Sequence, residues 1–536
     1  MPLHPNERCC YKVHAYVRDM KDVFGVKFLL LLAFVQCFVN GVVFMGVNDS
    51  LFPFFKYLKV APSQVQILGA LSMTPWALKP ILGALSDTIA LGRYHKRYWM
   101  LLACVVGLIA TIVLSTGVRE VGVLVAMFFL VNFQIAFTDL LTEAKYAELM
   151  ARDQKTGSNV VTLKIGLQQL GFIAAICFVG PLSDTQQFST IYIICITFAA
   201  SPLILILFGF MPETPLYGVN PVVHLDKEKL RLNKGMFLFV LMVGICGPLF
   251  SLWTALDLLQ NEVLTRSLGV GASVLLLGLG VLGGYLVFPR GVAHVITYQV
   301  VTSLLSVRVG TALDFFYTAD AACLPDGPHF SYAYYITFTG TLSVVVGLVS
   351  TFLYQVLFSA WRFRNVILLT TALGGLAGAF DLAMVLRWNV ALGISDKAFY
   401  VIGEAILEKA IGTLLWIPTS TLIAKVCPPG LQAATYAYLA GMSNFAGSAS
   451  SLAGAALIDL SGLQMQQAPC NWDALWILVL VGHVICRIVV GIPSAFLLPN
   501  IKQDEAIETA TTTIDDISLQ DIPMQDLLES DSEMDL

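Results

Sequence analysis

Long apolar runs alternate with short polar or charged connections along almost the whole chain. The apolar runs lie at 27–47, 64–86, 98–117, 121–145, 158–180, 189–210, 235–258, 270–289, 296–317, 331–358, 364–387, 398–425, 433–460 and 472–498, which makes about 14 spans. At about 1.5 Å of rise per residue, each can cross roughly 30 Å of hydrocarbon as a helix. The runs are continuous rather than alternating, which excludes the strands of a membrane barrel. Residues 1–26 are polar and basic, and the run after them is long enough to stay as an anchor, so no cleaved signal is expected. The pattern predicts an all-α polytopic membrane protein.

The connections predict a layout of six, two and six helices. A cytosolic tail (1–26) precedes a six-helix half (27–210). A polar linker and two extra central spans (211–295) lead to a second six-helix half (296–498), and an acidic tail (499–536) follows. The halves echo each other weakly. A basic turn, Arg93 to Arg97, follows the second helix of the first half, and Arg362-Phe-Arg364 follows the second helix of the last six. Asp139-x-x-x-Glu143 in one fourth helix has a counterpart, Glu404-x-x-x-Glu408, in the other. Internal repeats of this kind are expected of secondary transporters.

Composition sharpens the picture. Hydrophobic residues make up 57% and charged ones 12%, about half the usual share in soluble proteins. The charge is sorted along the chain. With the N-terminus in the cytosol, inner segments hold 20 Lys and Arg and outer segments hold 6, which predicts both termini inside, here at the plasma membrane. Basic residues in short loops do not form a nucleic-acid face, so no nucleic acid is expected as a partner. The last segment carries 11 acids and one Lys after Asn500, the composition of a disordered tail; acid-directed phosphorylation at Ser530 and Ser532 is an option there.

Gly83-x-x-x-Asp87 followed by Gly92-Arg93-x-x-Lys96-Arg97 has the makings of a gate. Gly83 admits a neighbouring helix, and Asp87 at the membrane edge can pair with Arg93 or with a helix N-terminus in one conformation only. Lys79 lies inside the same apolar run. The other charges within the membrane are functional candidates by default. Asp139 and Lys164 sit about six residues from the same ends of antiparallel neighbours, or roughly 9 Å in depth, and are expected to pair. Glu143 and Gln168 lie one turn from them. Arg308, Asp314, Asp381, Arg387, Glu404 and Glu408 complete the set.

The wider string Pro75-Trp76-x-x-Lys79-Pro80-x-x-Gly83-x-x-Ser86-Asp87, with Tyr94-His95-Lys96-Arg97-Tyr98, resembles the folate–biopterin transporter family, a branch of the major facilitator superfamily. Asp139-Leu-Leu-x-Glu143-Ala-Lys145-Tyr146, Phe316-Tyr317-Thr318, Arg387-x-Asn389, Leu392-Gly393-Ile394-x-Asp396 and Cys427-Pro428-Pro429-Gly430 follow in that family's order, although Ser395 stands where Pro is expected. The resemblance implies a major-facilitator fold, alternating access, and import of folate or biopterin; the carboxylates within the membrane point to coupling with protons. A carboxylate can accept the pterin's paired N–H donors, and Lys or Arg can meet folate's glutamyl carboxylates. Asp139, Glu143, Glu404 or Glu408 is therefore expected to read the pterin or carry a proton, and Lys164, Arg308 or Arg387 to meet the anionic tail.

Two other readings stand beside this one: transport of another small organic solute such as S-adenosylmethionine, and a transporter-like nutrient sensor. An enzyme is not expected, because no nucleophile–base set has useful spacing; no cofactor or metal is expected either. The absence of GxxxxGK[ST] disfavours an ATP-driven pump. Gly278-x-Gly280-x-x-Gly283 matches a dinucleotide fingerprint but lies in an apolar span with no strand before it, so helix packing is its role. Asn48-Asp49-Ser50 is a sequon that abuts the membrane. Most of the 11 cysteines fall in apolar runs, whereas Cys323 and Cys470 fall in outer loops and can form a disulfide; Cys9-Cys10 is open to acylation.

Overall fold

In a computed structural model of the chain, the described residues are 18, 20–150, 157–218, 220, 222–227, 262–426, 432–466 and 469–503. The expected span at 235–258, the Cys-Pro-Pro-Gly stretch, Cys9-Cys10 and the acidic tail lie outside them. Among the described residues, ten helices are long and apolar enough to cross a membrane. In chain order the helices are α1 (Val26–Tyr57), α2 (Pro62–Ser72), α3 (Lys79–Thr88), α4 (Arg97–Ser115), α5 (Val121–Met150), α6 (Gly157–Asp184), α7 (Phe188–Leu207), α8 (Glu262–Val287), α9 (Arg290–Leu305), α10 (Gly310–Tyr317), α11 (Ala333–Leu357), α12 (Phe363–Val385), α13 (396–426), α14 (Gln432–Leu460) and α15 (Leu475–Leu497).

Two expected single helices are broken. The run 64–86 splits into α2 and α3 around a 3₁₀ turn at Thr74–Trp76. Pro75 and Pro80 each lack the N–H that a continuous helix needs. The run 296–317 splits into α9 and α10, with Ser306–Val309 between them. The carbonyls freed there are satisfied by side chains. Gln66 Nε2 donates to Arg308 O (2.8 Å), and Ser450 Oγ donates to Ser306 O (2.5 Å). Gly454 of α14 makes this approach possible, since a Cβ there would lie 1.6 Å from Arg308 O. Helix α14 thus runs between the two breaks, and its Asn444 Nδ2 donates to Trp76 O (3.1 Å).

Among the described residues, four helices carry wide π-helical turns: Phe34–Val43 in α1, Ala333–Phe338 in α11, Val401–Glu408 in α13 and Leu480–Ile485 in α15. The fold is not purely helical. Strand β1 (Ile89–Leu91) pairs antiparallel with β2 (Val223–Leu225), so the linker expected after residue 210 folds back onto the basic turn.

Helix α8 packs on α9 and α14. Tyr438 Oη donates to Gly280 O (2.9 Å), and Gly280 faces Met442, so the glycine-rich stretch serves helix packing. Arg266 of α8 forms a buried ion pair with Asp459 of α14. At the end of the molecule opposite the basic turn, Cys323 and Cys470 form a disulfide. Asn48 exchanges side-chain hydrogen bonds with Asn132 inside the bundle, which removes the sequon amide from the surface.

Candidate functional site

Asp139 of α5 is the hub of a buried polar cluster. Its Oδ2 accepts from Lys79 Nζ (2.6 Å), and its Oδ1 accepts from Asn40 (2.7 Å) and Gln36 (3.1 Å) and lies 3.1 Å from Lys164 Nζ. Lys164 also bonds Glu143, whose second oxygen lies 3.7 Å from Lys79. The expected Asp139–Lys164 pairing is present. Lys79, grouped by sequence with the gate, belongs to this cluster instead, because the α2–α3 break points its helix start at α5. Two carboxylates face two ammonium groups, so the charges balance. Both Asp139 oxygens are filled, whereas the partly exposed Glu143 keeps acceptor capacity. Gln168 lies one turn beyond Lys164 on α6.

An aromatic and cationic face adjoins this cluster. Lys79 Nζ lies 4.5 Å from the Trp76 ring centre, and Phe44 packs edge-on to that ring at 5.8 Å. Trp76 Nε1 is buried without a hydrogen-bond partner among the described residues. Asn444 and, one turn on, Gly447 lead to Arg308, whose guanidinium lies against Gly447. Arg308 and Asn444 are exposed, although both belong to membrane-length segments. A charged or polar residue at membrane depth faces other helices or a cavity rather than lipid, which puts Arg308 and Asn444 toward the bundle interior.

A second cluster joins four other helices. Asp381 of α12 is buried. Its Oδ1 accepts from Tyr317 Oη of α10 (2.6 Å), and its Oδ2 pairs with His483 Nδ1 of α15 (2.7 Å). The carboxyl groups of Asp381 and Glu404 (α13) and the His483 ring lie within 4.8 Å of one another. Around them, Tyr335 Oη donates to Asp314 (2.5 Å), and Arg487 pairs with Glu408. Three such donors could ligate a metal, but both Asp381 oxygens already engage hydrogen-bonding groups. Sequence spacing concealed this grouping, since His483 lies 79 residues from Glu404.

Arg387 is placed differently. It has positive φ (59°) in the loop between α12 and α13 and grips Asp396 with two 2.9 Å bonds, while Asn389 donates to the same carboxylate (2.7 Å). The basic turn is built from Gly92 and Arg93, both at positive φ. A Cβ on Gly92 would lie 2.5 Å from the Tyr98 ring. Gly83 faces Leu140 of α5, and Asp87 is exposed beside the turn. The carboxylate that caps α4 is Glu213: it accepts from the backbone N–H of His95 (2.7 Å), Lys96 (3.1 Å) and Arg97 (3.0 Å). Lys96 also reaches Glu148 (3.4 Å), as does Lys145 (3.0 Å). Burial raises the Glu148 pKa, but the Lys145 hydrogen bond and the Lys96 charge outweigh it and hold the carboxyl below its ordinary value.

The two turns correspond in detail. Arg97 donates to the carbonyls of Ile206 (3.1 Å) and Leu207 (2.8 Å) at the end of α7. Arg364 likewise donates to Leu498 O (2.8 Å) after α15. The first turn pairs with Leu216 and Val222 through Leu216 N to Arg93 O (2.9 Å) and Gly92 N to Val222 O (3.0 Å), and the second pairs with 501–503 through Phe363 N to Ile501 O (3.1 Å) and Gln503 N to Trp361 O (3.2 Å).

Sequence reasoning missed Gln36, Asn40, His483 and Arg487. The signal was present, since each is a polar or ionisable residue inside an apolar run. Glu213 gave no such signal; only the fold-back of the linker identifies it.

Residues 41–517 match the BT1 family. A folate-biopterin transporter of Synechocystis sp. is 24% identical over 86% of this chain and 80% of its own length. "Probable folate-biopterin transporter 2" of Arabidopsis thaliana is 23% identical over 80% of this chain and 74% of its own. "Folate transporter 2" of Plasmodium falciparum is 21% identical over 78% of each. Among solved structures, a POT family transporter superposes with a TM-score of 0.62 at 13% identity, covering 88% of this chain and 96% of its own. A nucleoside transporter superposes at 0.54, also at 13% identity, over 88% and 99%. At these identities the likeness to the two structures is one of fold alone. The match from residue 41 to residue 517 takes in the charged residues of both buried clusters, both helix breaks and both turns: the chain belongs to the BT1 family.

Proposed function

We propose that this protein is a secondary transporter that imports folate and pterins with protons. In this reading two six-helix halves, 27–210 and 296–498, rock about a central site in the bilayer, with both termini in the cytosol and the protein at the plasma membrane. One observation carries it. The charge-balanced cluster of Lys79, Asp139, Glu143 and Lys164 adjoins Trp76, and Asn444 and Gly447 of α14 link Trp76 at one helix break to the exposed Arg308 at the other. The names of the relatives supply the substrate class.

The roles follow from the free valences. Asp139 is saturated and positions both lysines. Glu143 can accept the paired N–H donors of a pterin, and Trp76 and Phe44 offer ring faces to it. Arg308, with no carboxylate partner among the described residues, suits the glutamyl carboxylates of folate. Gly83, Asp87, Gly92, Arg93, Lys96 and Arg97 act as an inner latch, with the turn at Arg362 and Arg364 as its counterpart. Contacts on the opposite side support a state closed there. Lys56 donates to Thr318 Oγ1 (2.8 Å), Gln466 donates to Val60 O (2.7 Å), and Asp184 accepts from Tyr332 N (2.6 Å) and Ala333 N (2.8 Å).

Uptake of labelled folate and biopterin by transport-deficient cells, with S-adenosylmethionine as competitor, tests the reading. Saturable uptake that unlabelled pterins suppress supports it. Uptake suppressed by S-adenosylmethionine but not by pterins would assign another substrate.

A further inference from the structure

The second cluster differs from the first in its charge balance. In the first, two carboxylates meet two lysines. In the second, the carboxyls of Asp314, Asp381, Glu404 and Glu408 surround one guanidinium, Arg487, and one imidazole, His483. Asp49 and Lys56 face Asp314 from α1, and Lys56 bonds Thr318. Tyr335 and Tyr400 complete the lining, the latter with its ring 4.8 Å from that of Tyr317. An excess of acids in a membrane interior must be neutralised, and protons are the agents that carboxyls and an imidazole at hydrogen-bond spacing can exchange.

The cluster is also mechanically placed. Tyr317, which donates to Asp381, is the last residue of the eight-residue helix α10. Arg308 stands just before that helix. Phe315, within it, packs edge-on to Phe52 of α1 at 5.3 Å, and Thr318, just after it, receives Lys56. One short helix therefore touches the bundle interior at Arg308, the acid–imidazole cluster and the closed side at once. Breaks bound it at both ends, and its Leu313, Phe315, Phe316 and Tyr317 are buried against the neighbouring helices, so a shift at one contact is passed to the others.

We propose that Asp381, Glu404 and His483 form the site that carries the coupling proton, and that α10 transmits its protonation to the closed side through Tyr317. This rests on the transporter reading above and places the proton away from the first cluster. A proton taken up from the side opposite the basic turn resides on the Glu404–Asp381–His483 set, changes the Asp381–Tyr317 bond, and leaves to the basic-turn side after the halves have rocked. No covalent bond forms, and one proton enters for each one released.

The test uses purified full-length protein in proteoliposomes with labelled pterin or folate. Glu404→Gln should keep exchange at equal pH on both sides but lose accumulation driven by an imposed pH difference. Tyr317→Phe should keep proton binding and weaken the coupling of accumulation to the gradient. A substrate-independent measurement separates this proposal from the transport reading. The pH-difference infrared spectrum of the wild type should show the carbonyl band of a protonated carboxyl, and the band should be lost in Glu404→Gln. Gradient-driven accumulation in Glu404→Gln equal to wild type, or an unchanged infrared band, overturns the proposal. A wild type that shows the band but exchanges no pterin or folate leaves the proton site standing and removes the substrate reading.

Discussion

Asp139 and Glu143 sit one helical turn apart, and the structure gives them different work. Four donor groups converge on Asp139, so Asp139→Asn leaves Lys79 and Lys164 buried with one carboxylate between them. Breaking a buried pair in this way costs about 3–5 kcal/mol. The expected outcome is a marked fall in the melting temperature of detergent-purified protein together with lost uptake. Glu143 also pairs with Lys164 but is partly exposed, so Glu143→Gln should lower the melting temperature less than Asp139→Asn does and still lose pterin uptake; normal uptake by this variant would remove Glu143 from the site. Arg308 makes a different prediction. Its guanidinium has an anion to meet only when the substrate carries one, so Arg308→Ala should raise the KM for folate far more than that for biopterin, which lacks a carboxylate. Equal effects on the two would mean that Arg308 supports the α9–α10 break and does not read the substrate.

At the scale of elements, what the sequence could not convey is local backbone geometry. The apolar runs located the helices and the intramembrane charges marked Asp139, Lys164, Asp381 and Glu404. A π turn, however, has no hydrophobic signature of its own. All four π turns carry cluster residues: Gln36 and Asn40, then Tyr335, then Glu404 and Glu408, then His483. A widened turn rotates the following residues about the helix axis, which brings side chains to a face that regular periodicity would not give them. The break at Pro75 and Pro80 was legible in principle, but the one at Ser306–Val309 was not, because Gly454, Ser450 and Gln66 from distant helices make it possible. Glu213 belongs at this scale too. It accepts from three successive N–H groups leading into α4, so Glu213→Ala should cost about 0.5–2 kcal/mol, as cap removal does. A denaturation series comparing this variant with Glu213→Gln checks it.

For the whole molecule, the two turns obey one rule: the chain after the sixth helix of each half folds back on the turn that follows the second. This repeat supports the two-half reading more strongly than the short motif echo in the sequence. Rocking of the halves requires the contacts opposite the basic turn to open. Cysteines at Val60 and Gln466, which meet across that face, should lock transport when cross-linked, and reduction should restore it. Transport that continues in the cross-linked protein would mean that this face does not open. The central claim is that the chain carries folate or pterin across the bilayer rather than merely binding it. Counter-flow in proteoliposomes preloaded with unlabelled folate or biopterin measures this directly. The account predicts transient accumulation of external label that Glu143→Gln abolishes; label that binds without exchanging would contradict it and point to a sensor.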